Sequence, residues 1–205
     1  SERLLDEFKK LTLSKNFLKL FEDSSSVELI QIIFPQFKNL DKLKKLNTYA
    51  YHNLKNIDFI FLLSLMIIDG TDNTDYFLYK FNISKKDQKR LKKINLFYKE
   101  EENIKKFNEK SFNKIFYFNG KQAVIDVINF KIFTSDKVEK KLINLMESYK
   151  NKVIPTMPIG ANNLMTKYNI PEGKTLGNKL KMIEEVWVNN GFKISEKQVQ
   201  KIVKN

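Results

Sequence analysis

The sequence predicts an all-α protein, with short antiparallel helices forming a body and a small helical tail after it. Three observations carry this expectation. Apolar residues recur at three- and four-residue intervals along almost the whole chain, the spacing of one helix face. Helix breakers are scarce: among 205 residues there are only six Gly and four Pro, most of them after residue 150. No run of alternating apolar and polar residues marks a strand.

Taken in order, Leu4, Leu5, Phe8 and Leu11, then Phe17, Leu18 and Phe21, predict two short helices broken at Ser14. Val27 to Ile33 and Leu40 to Leu46 predict two more, on either side of Phe34-Pro35. Proline cannot continue a helix and disfavours helical backbone in the residue before it. Ile57 to Ile68 is apolar on all sides, so it reads as a buried central helix. Asp69 is expected to end it, and Asp72 or Asp75 to cap the next.

Ser84 to Tyr98 places Leu91, Ile94 and Tyr98 on one face. Lys85, Lys86, Lys89, Arg90, Lys92 and Lys93 fall on the other. Gln122 to Phe133 is again apolar nearly all round. Val138, Leu142, Leu145 and Tyr149 form the inner stripe of the following helix, with Ser135 or Asp136 expected as its N-cap. Asn151 to Gly160, with Pro155 and Pro158, is the predicted boundary. The tail helix carries Leu176, Leu180, Ile183 and Trp187 as one stripe, with Lys174, Asn178 and Lys181 on its wet face. Pro171 sets the turn before this helix and Gly173 stands at its start, leaving the first backbone N–H groups accessible. Gly177 inside it costs roughly 1 kcal/mol against Ala and is expected to mark a close neighbour. Gly191 is expected to stop it. No period of 20–50 residues repeats along the chain.

Length and composition bound the rest. A chain of 205 residues buries about 70% of its unfolded surface and folds as one or two small domains. Seventeen Phe supply ample core. The formal net charge is +13, and only Arg3 and Arg90 among the basic residues are arginine. Such an excess favours an anionic partner, RNA first and an anionic membrane surface second. There is no cysteine, hence no disulfide framework, thiolate metal site or cysteine nucleophile, which fits the cytoplasm. The single His52 cannot anchor a histidine-rich metal site and reads as a residue at a helix start. The longest apolar run is about twelve residues and contains Asp58 and Ser64, short of the roughly 20 a membrane-spanning helix needs. Residues 1–30 show no apolar signal-peptide core. The chain opens on Ser1 in the middle of a helical pattern, which reads as a cut from something longer.

Motifs for chemistry are missing. Gly173-Lys174-Thr175 ends like a P-loop, but that loop needs glycine where Tyr168 stands, and no strand precedes it. Asp69, Asp72 and Asp75 lack the spacing of an EF-hand loop. Nucleotidyl transfer needs carboxylates held close enough to bind two metal ions. The chain has no Gly-Ser pair and no Asp-x-Asp.

The tail nevertheless carries a recognisable string. Pro158-Ile159-Gly160-Ala161-Asn162-Asn163-Leu164 is followed by Ile170-Pro171-Glu172-Gly173-Lys174-Thr175-Leu176-Gly177, by Trp187, and by Gly191-Phe192-Lys193-Ile194-Ser195. This resembles the C-terminal tail of the bacterial class II CCA-adding tRNA nucleotidyltransferase and poly(A) polymerase family. Glu2-Arg3-Leu4-Leu5-Asp6-Glu7-Phe8-Lys9-Lys10-Leu11 is similar to that family's neck helix. Ile32-Ile33-Phe34-Pro35-Gln36-Phe37 is similar to its I-x-P turn. Phe116-Tyr117-Phe118-Asn119-Gly120-Lys121-Gln122-Ala123-Val124-Ile125-Asp126 resembles its step into a body helix, most like alphaproteobacterial members. The four blocks occur in the family's order. Departures are Ala161 where the family has Gly and Asn163 where it has Asp, which bears on a carboxylate's role at that helix start.

The resemblance implies residues 1–46 as neck-like helices, 47–150 as a helical body and 151–205 as a tail. It implies a region that grips tRNA or another structured RNA by its phosphates and delivers the 3′ end to a catalytic head, present in cis or in trans. It also implies Mg2+ and CTP or ATP for that absent head, with no cofactor, metal or catalytic residue in this chain and no membrane partner. The chain alone is then not an enzyme. The residues expected to face RNA are Lys85, Lys89, Arg90 and Lys93 on the body and Lys174, Asn178 and Lys181 on the tail. Two other readings stand beside this one. The first is an all-α protein-interaction scaffold with merely solvated basic faces. The second is a peripheral membrane binder using Ser84–Tyr98, whose apolar side lacks tryptophan and is shaped for a core.

Overall fold

The computed structural model describes residues 2–14, 16–100 and 107–204. These form an all-α protein, with no strand among the described residues. The helices are α1 (Glu2–Thr12), α2 (Lys19–Glu22), α3 (Ser24–Ile33), α4 (Leu40–Lys44), α5 (Thr48–Asn53), α6 (Phe59–Ile67), α7 (Asn73–Lys80), α8 (Lys85–Glu100), α9 (Glu109–Asn119), α10 (Lys121–Thr134), α11 (Lys140–Asn151), α12 (Ala161–Tyr168), α13 (Lys174–Asn189) and α14 (Glu196–Lys204). A 3₁₀ turn, Leu54–Asn56, follows α5. The chain divides into two compact units, residues 1–104 with 125–150 and residues 105–124 with 151–205.

In the first unit the predicted central helix is α6, with Phe61 to Ile67 all buried. Asp58 caps its start by accepting the Phe61 N–H at 3.0 Å. Two distant asparagines close its other end: Asn39 donates to the Ile68 carbonyl at 2.6 Å, and Asn73 donates to the Ile67 and Gln36 carbonyls, each at 2.7 Å. Terminal carbonyls left unpaired in a core cost as much as a lost hydrogen bond, so these two amides let a helix that is apolar on every side but for Ser64 stop inside the protein. Around α6 runs a chain of phenylalanine rings, Phe8, Phe34, Phe37, Phe77 and Phe81, with successive centroids 4.7–6.2 Å apart. The rings come from α1, the Phe34-Pro35 turn and α7, so the first helices share one core with the rest of this unit.

Three local expectations need correction. His52 lies in the last turn of α5, where its Nδ1 bonds to the Thr48 carbonyl at 2.7 Å; the helix start belongs to Asn47, which accepts the Ala50 N–H at 2.9 Å. The Asn47 amide also donates to the Ile132 and Ser135 carbonyls at 2.6 and 2.8 Å, fastening α5 to the end of α10. Ser135 does not cap α11, because its hydroxyl turns back to the Lys131 carbonyl at 2.7 Å and closes α10 instead. The apolar stripe of α11 is Leu142, Met146 and Tyr149, with Val138 outside the helix.

The second unit is built on α13. Leu176, Ile183, Trp187 and Val188 are buried, and α9, α12 and α14 pack around them. Trp187 meets Tyr117 of α9 and Phe192 edge-on, at 5.3 and 5.1 Å. The Tyr117 hydroxyl donates to Glu184 at 2.8 Å. Gly191 has a left-handed backbone, φ 66°, and the Phe192 N–H returns to the Trp187 carbonyl at 2.9 Å, the hydrogen-bonded stop that the glycine predicts. Ser195 and Gln198 form a reciprocal cap on α14: the Ser195 N–H donates to Gln198 Oε1 at 2.9 Å, and the Gln198 N–H to Ser195 Oγ at 3.4 Å. Residues 107–124 thus pack with the tail, although residues 125–150 of the first unit intervene.

Candidate nucleic-acid interface

Helix α8 begins with a reciprocal cap between Ser84 and Asp87. The Ser84 hydroxyl donates to the Asp87 carboxylate at 2.7 Å, and the Asp87 N–H donates to Ser84 Oγ at 3.2 Å. The helix then buries Leu91, Ile94 and Phe97. Its outward turns carry Lys85, Lys86, Lys89 and Lys92, all exposed, with Lys93 half-buried at the margin. None of these five has a carboxylate within ion-pair distance among the described residues. Lys85, Lys89 and Lys93 repeat every four residues and form one row along the helix.

Arg90 does not belong to that row. Its side chain is 17% exposed and reaches inward to two carboxylates. It holds Asp126 of α10 bidentately, through Nε to Oδ2 and through Nη2 to Oδ1 at 2.8 Å. The same Nη2 meets Asp58 at 2.7 Å. One guanidinium thereby joins the start of α6, the middle of α8 and α10. A planar fork can satisfy two carboxylates at once, which a lysine ammonium could not do with the same geometry. Burial pushes the Asp58 carboxyl up, but the Arg90 guanidinium and the Phe61 and Ile60 N–H groups outweigh it and hold Asp58 below the usual carboxylate value. Burial lowers the Arg90 pKa, but Asp126 and Asp58 together raise it still further above its already high ordinary value. Arg90 is a structural cation, not an RNA-facing one.

In the second unit, α13 opens on Gly173, whose φ of 144° and ψ of −165° lie in a region essentially reserved for glycine. With no side chain there, nothing caps the helix, and its first N–H groups face outward with the positive end of the helix dipole. Lys174, Asn178 and Lys181 are all exposed and follow one another along that side. Gly177 lies among them with open space around its Cα: a Cβ there would meet nothing within 4 Å, so the expected close neighbour does not exist. At the preceding helix, α12, the Asn163 side chain accepts the Gly160 N–H at 3.0 Å. The amide therefore performs the helix-start role that a carboxylate would have had.

Two members of the acidic cluster, Asp69 and Asp72, are satisfied locally. Asp69 accepts the Thr71 N–H and hydroxyl at 3.0 and 2.7 Å, and Asp72 pairs with Lys99 at 2.9 Å rather than capping α7 through its side chain. Among the described residues no group of three or more His, Cys, Asp or Glu stands close enough to hold a metal ion. No helix among them is long and apolar enough to cross a membrane. Periodicity also gave no sign of two exposed rings on α7, Tyr76 and Tyr79; aromatic residues at helical spacing read by default as core.

Comparison of the chain with protein-family models, with curated proteins and with solved structures gave no match.

Proposed function

We propose that this chain is the RNA-binding region of a CCA-adding tRNA nucleotidyltransferase or of the related poly(A) polymerase, working in the cytoplasm. In this reading it holds tRNA and positions the 3′ end for a catalytic head outside this sequence. The observation that carries RNA as partner is the set of exposed lysines on α8, Lys85, Lys86, Lys89 and Lys92, that have no ion-pair partner among the described residues, in a chain of net charge +13. The family reading rests on the four motif blocks. Double-stranded RNA is gripped largely through phosphates and 2′-hydroxyls, contacts that lysine rows and helix starts can make without reading sequence.

This reading assigns the family's Mg2+ and nucleoside triphosphate to the head rather than to these residues. The chain has no Asp-x-Asp, and two of its clustered aspartates, Asp69 and Asp72, are tied to Thr71 and Lys99. No catalytic step is assigned to these residues. Incorporation of CMP or AMP into tRNA by the chain alone would refute that division of labour.

Affinity for folded tRNA, for an unstructured RNA of equal length and for anionic vesicles, measured against salt, tests the reading. If about four phosphates are neutralised, log K falls with log[salt] with a slope near −3. Engagement of both lysine surfaces requires folded tRNA to bind more tightly than the single strand. Equal affinity for both RNAs would leave non-specific charge and favour the protein-interaction scaffold. Tighter binding to vesicles would favour the membrane reading.

A further inference from the structure

Helices α7 and α8 form an antiparallel hairpin joined by a four-residue turn, residues 81–84. The Asp72–Lys99 pair pins the far end of the hairpin and so sets its register. At 1.5 Å per residue, Tyr76 lies about 6 Å along α7 from that pin and Tyr79 about 10 Å. Counting back from Lys99 by the same steps brings Tyr79 level with the turn of Lys92. Lys92 lies seven residues from Lys99, on the same side of α8. Tyr76 and Tyr79 are 67% and 93% exposed, and Leu96, one turn from Lys92, is 54% exposed. Phe77 and Phe81 of the same stretch are buried, so α7 has its core anchors and the two tyrosines are surplus to packing.

We propose that this outer face of the hairpin binds single-stranded RNA: Tyr76 and Tyr79 stack on unpaired bases, and Lys89 and Lys92 meet the intervening phosphates. The inference rests on reading the α8 lysine row as RNA-facing, and adds to it a ligand that phosphate contacts alone do not select. Aromatic rings beside a cationic groove are the two parts of sequence-tolerant single-strand binding, because every base offers a π-face and every linkage a charge. Rings three residues apart on a helix are neighbours on its surface, so two successive bases can be served. The exposed carboxylate of Asp75 and that of Asp72 lie at the α7 N-terminal end. The strand therefore runs from Tyr76 away from them, towards Lys80 and the start of α8. A protein ligand would have to tolerate this row of unpaired lysines, and charge complementarity favours the polyanion.

The test uses the full chain and three fluorescent probes: an oligo(A) 12-mer, an abasic ribose-phosphate oligomer of equal length and charge, and folded tRNA. The intact protein should bind oligo(A) more tightly than the abasic oligomer. Tyr76→Ala with Tyr79→Ala should weaken oligo(A) by about tenfold per ring removed and leave the abasic oligomer unchanged. Tyr76→Phe with Tyr79→Phe keeps the rings and should keep the affinity. Equal binding of oligo(A) and the abasic oligomer by the intact protein overturns stacking while leaving the phosphate-binding reading in place. Unchanged oligo(A) affinity in the alanine variant overturns it in the same way. Failure to bind any of the three probes sinks the RNA reading itself and this inference with it.

Discussion

Replacing Arg90 separates a structural cation from a binding one. In Arg90→Met the methylene stem is kept and the charge is lost. Asp126, whose side chain is only 2% exposed, then loses its bidentate cation while staying buried, whereas Asp58, at 52%, can be met by water. The cost is therefore dominated by Asp126, and breaking a buried pair in this way costs about 3–5 kcal/mol. For a unit of this size each kcal/mol lowers the melting temperature by about 3 °C, which puts the expected drop near 10–15 °C. Thermal unfolding followed by circular dichroism at neutral pH measures it. The additional change Asp126→Asn should restore at least half of the loss, because the stranded charge is gone. Acid acts on the other carboxylate held by Arg90, Asp58. Its folded pKa is depressed, so its contribution is present above its unfolded value and is lost only as the pH falls below about 4. A drop of less than about 2 °C in Arg90→Met would refute the structural role and return Arg90 to the wet face.

Lys85→Glu with Lys89→Glu should weaken tRNA binding and make the salt slope shallower by roughly 1.5–2, with the melting temperature unchanged, because neither side chain has an ion-pair partner among the described residues. Gly177→Ala should stabilise the protein by about 1 kcal/mol, since helical Gly is poorer than Ala and the site is open. Gly173→Ala, equally free of steric contact, should instead destabilise by about 1–3 kcal/mol, because its φ of 144° is closed to a residue with a Cβ. Opposite signs, read by urea unfolding, from two uncrowded glycines about 6 Å apart along one helix would show that backbone conformation alone decides them.

Local physics makes most helices legible in the sequence. The run of α6 that is apolar on all sides, the Ser84 start of α8, the stripe of α13 and its Gly191 stop each depend on residues a few positions apart, and all four are present as expected. The Lys85, Lys89 and Lys93 row and the Lys174, Asn178 and Lys181 row follow from helical period alone, which is why they were readable as faces. Tertiary structure decided the rest, because it rests on partners far along the chain. Arg90 has the period of its lysine neighbours, and only the approach of Asp58 and Asp126, 32 and 36 residues away, turns it inward. Asn39, Asn47 and Asn73 look like ordinary turn residues until the carbonyls that they satisfy are brought beside them. Tyr76 and Tyr79 share a type with core aromatics and differ only in what the fold leaves uncovered. Residues 107–124 join the tail because Tyr117 finds Glu184 and Trp187, a pairing across 67 and 70 positions that no local pattern encodes. Helical period assigns a residue to a face; which face meets the core, water or a buried charge depends on the other helices packed against it.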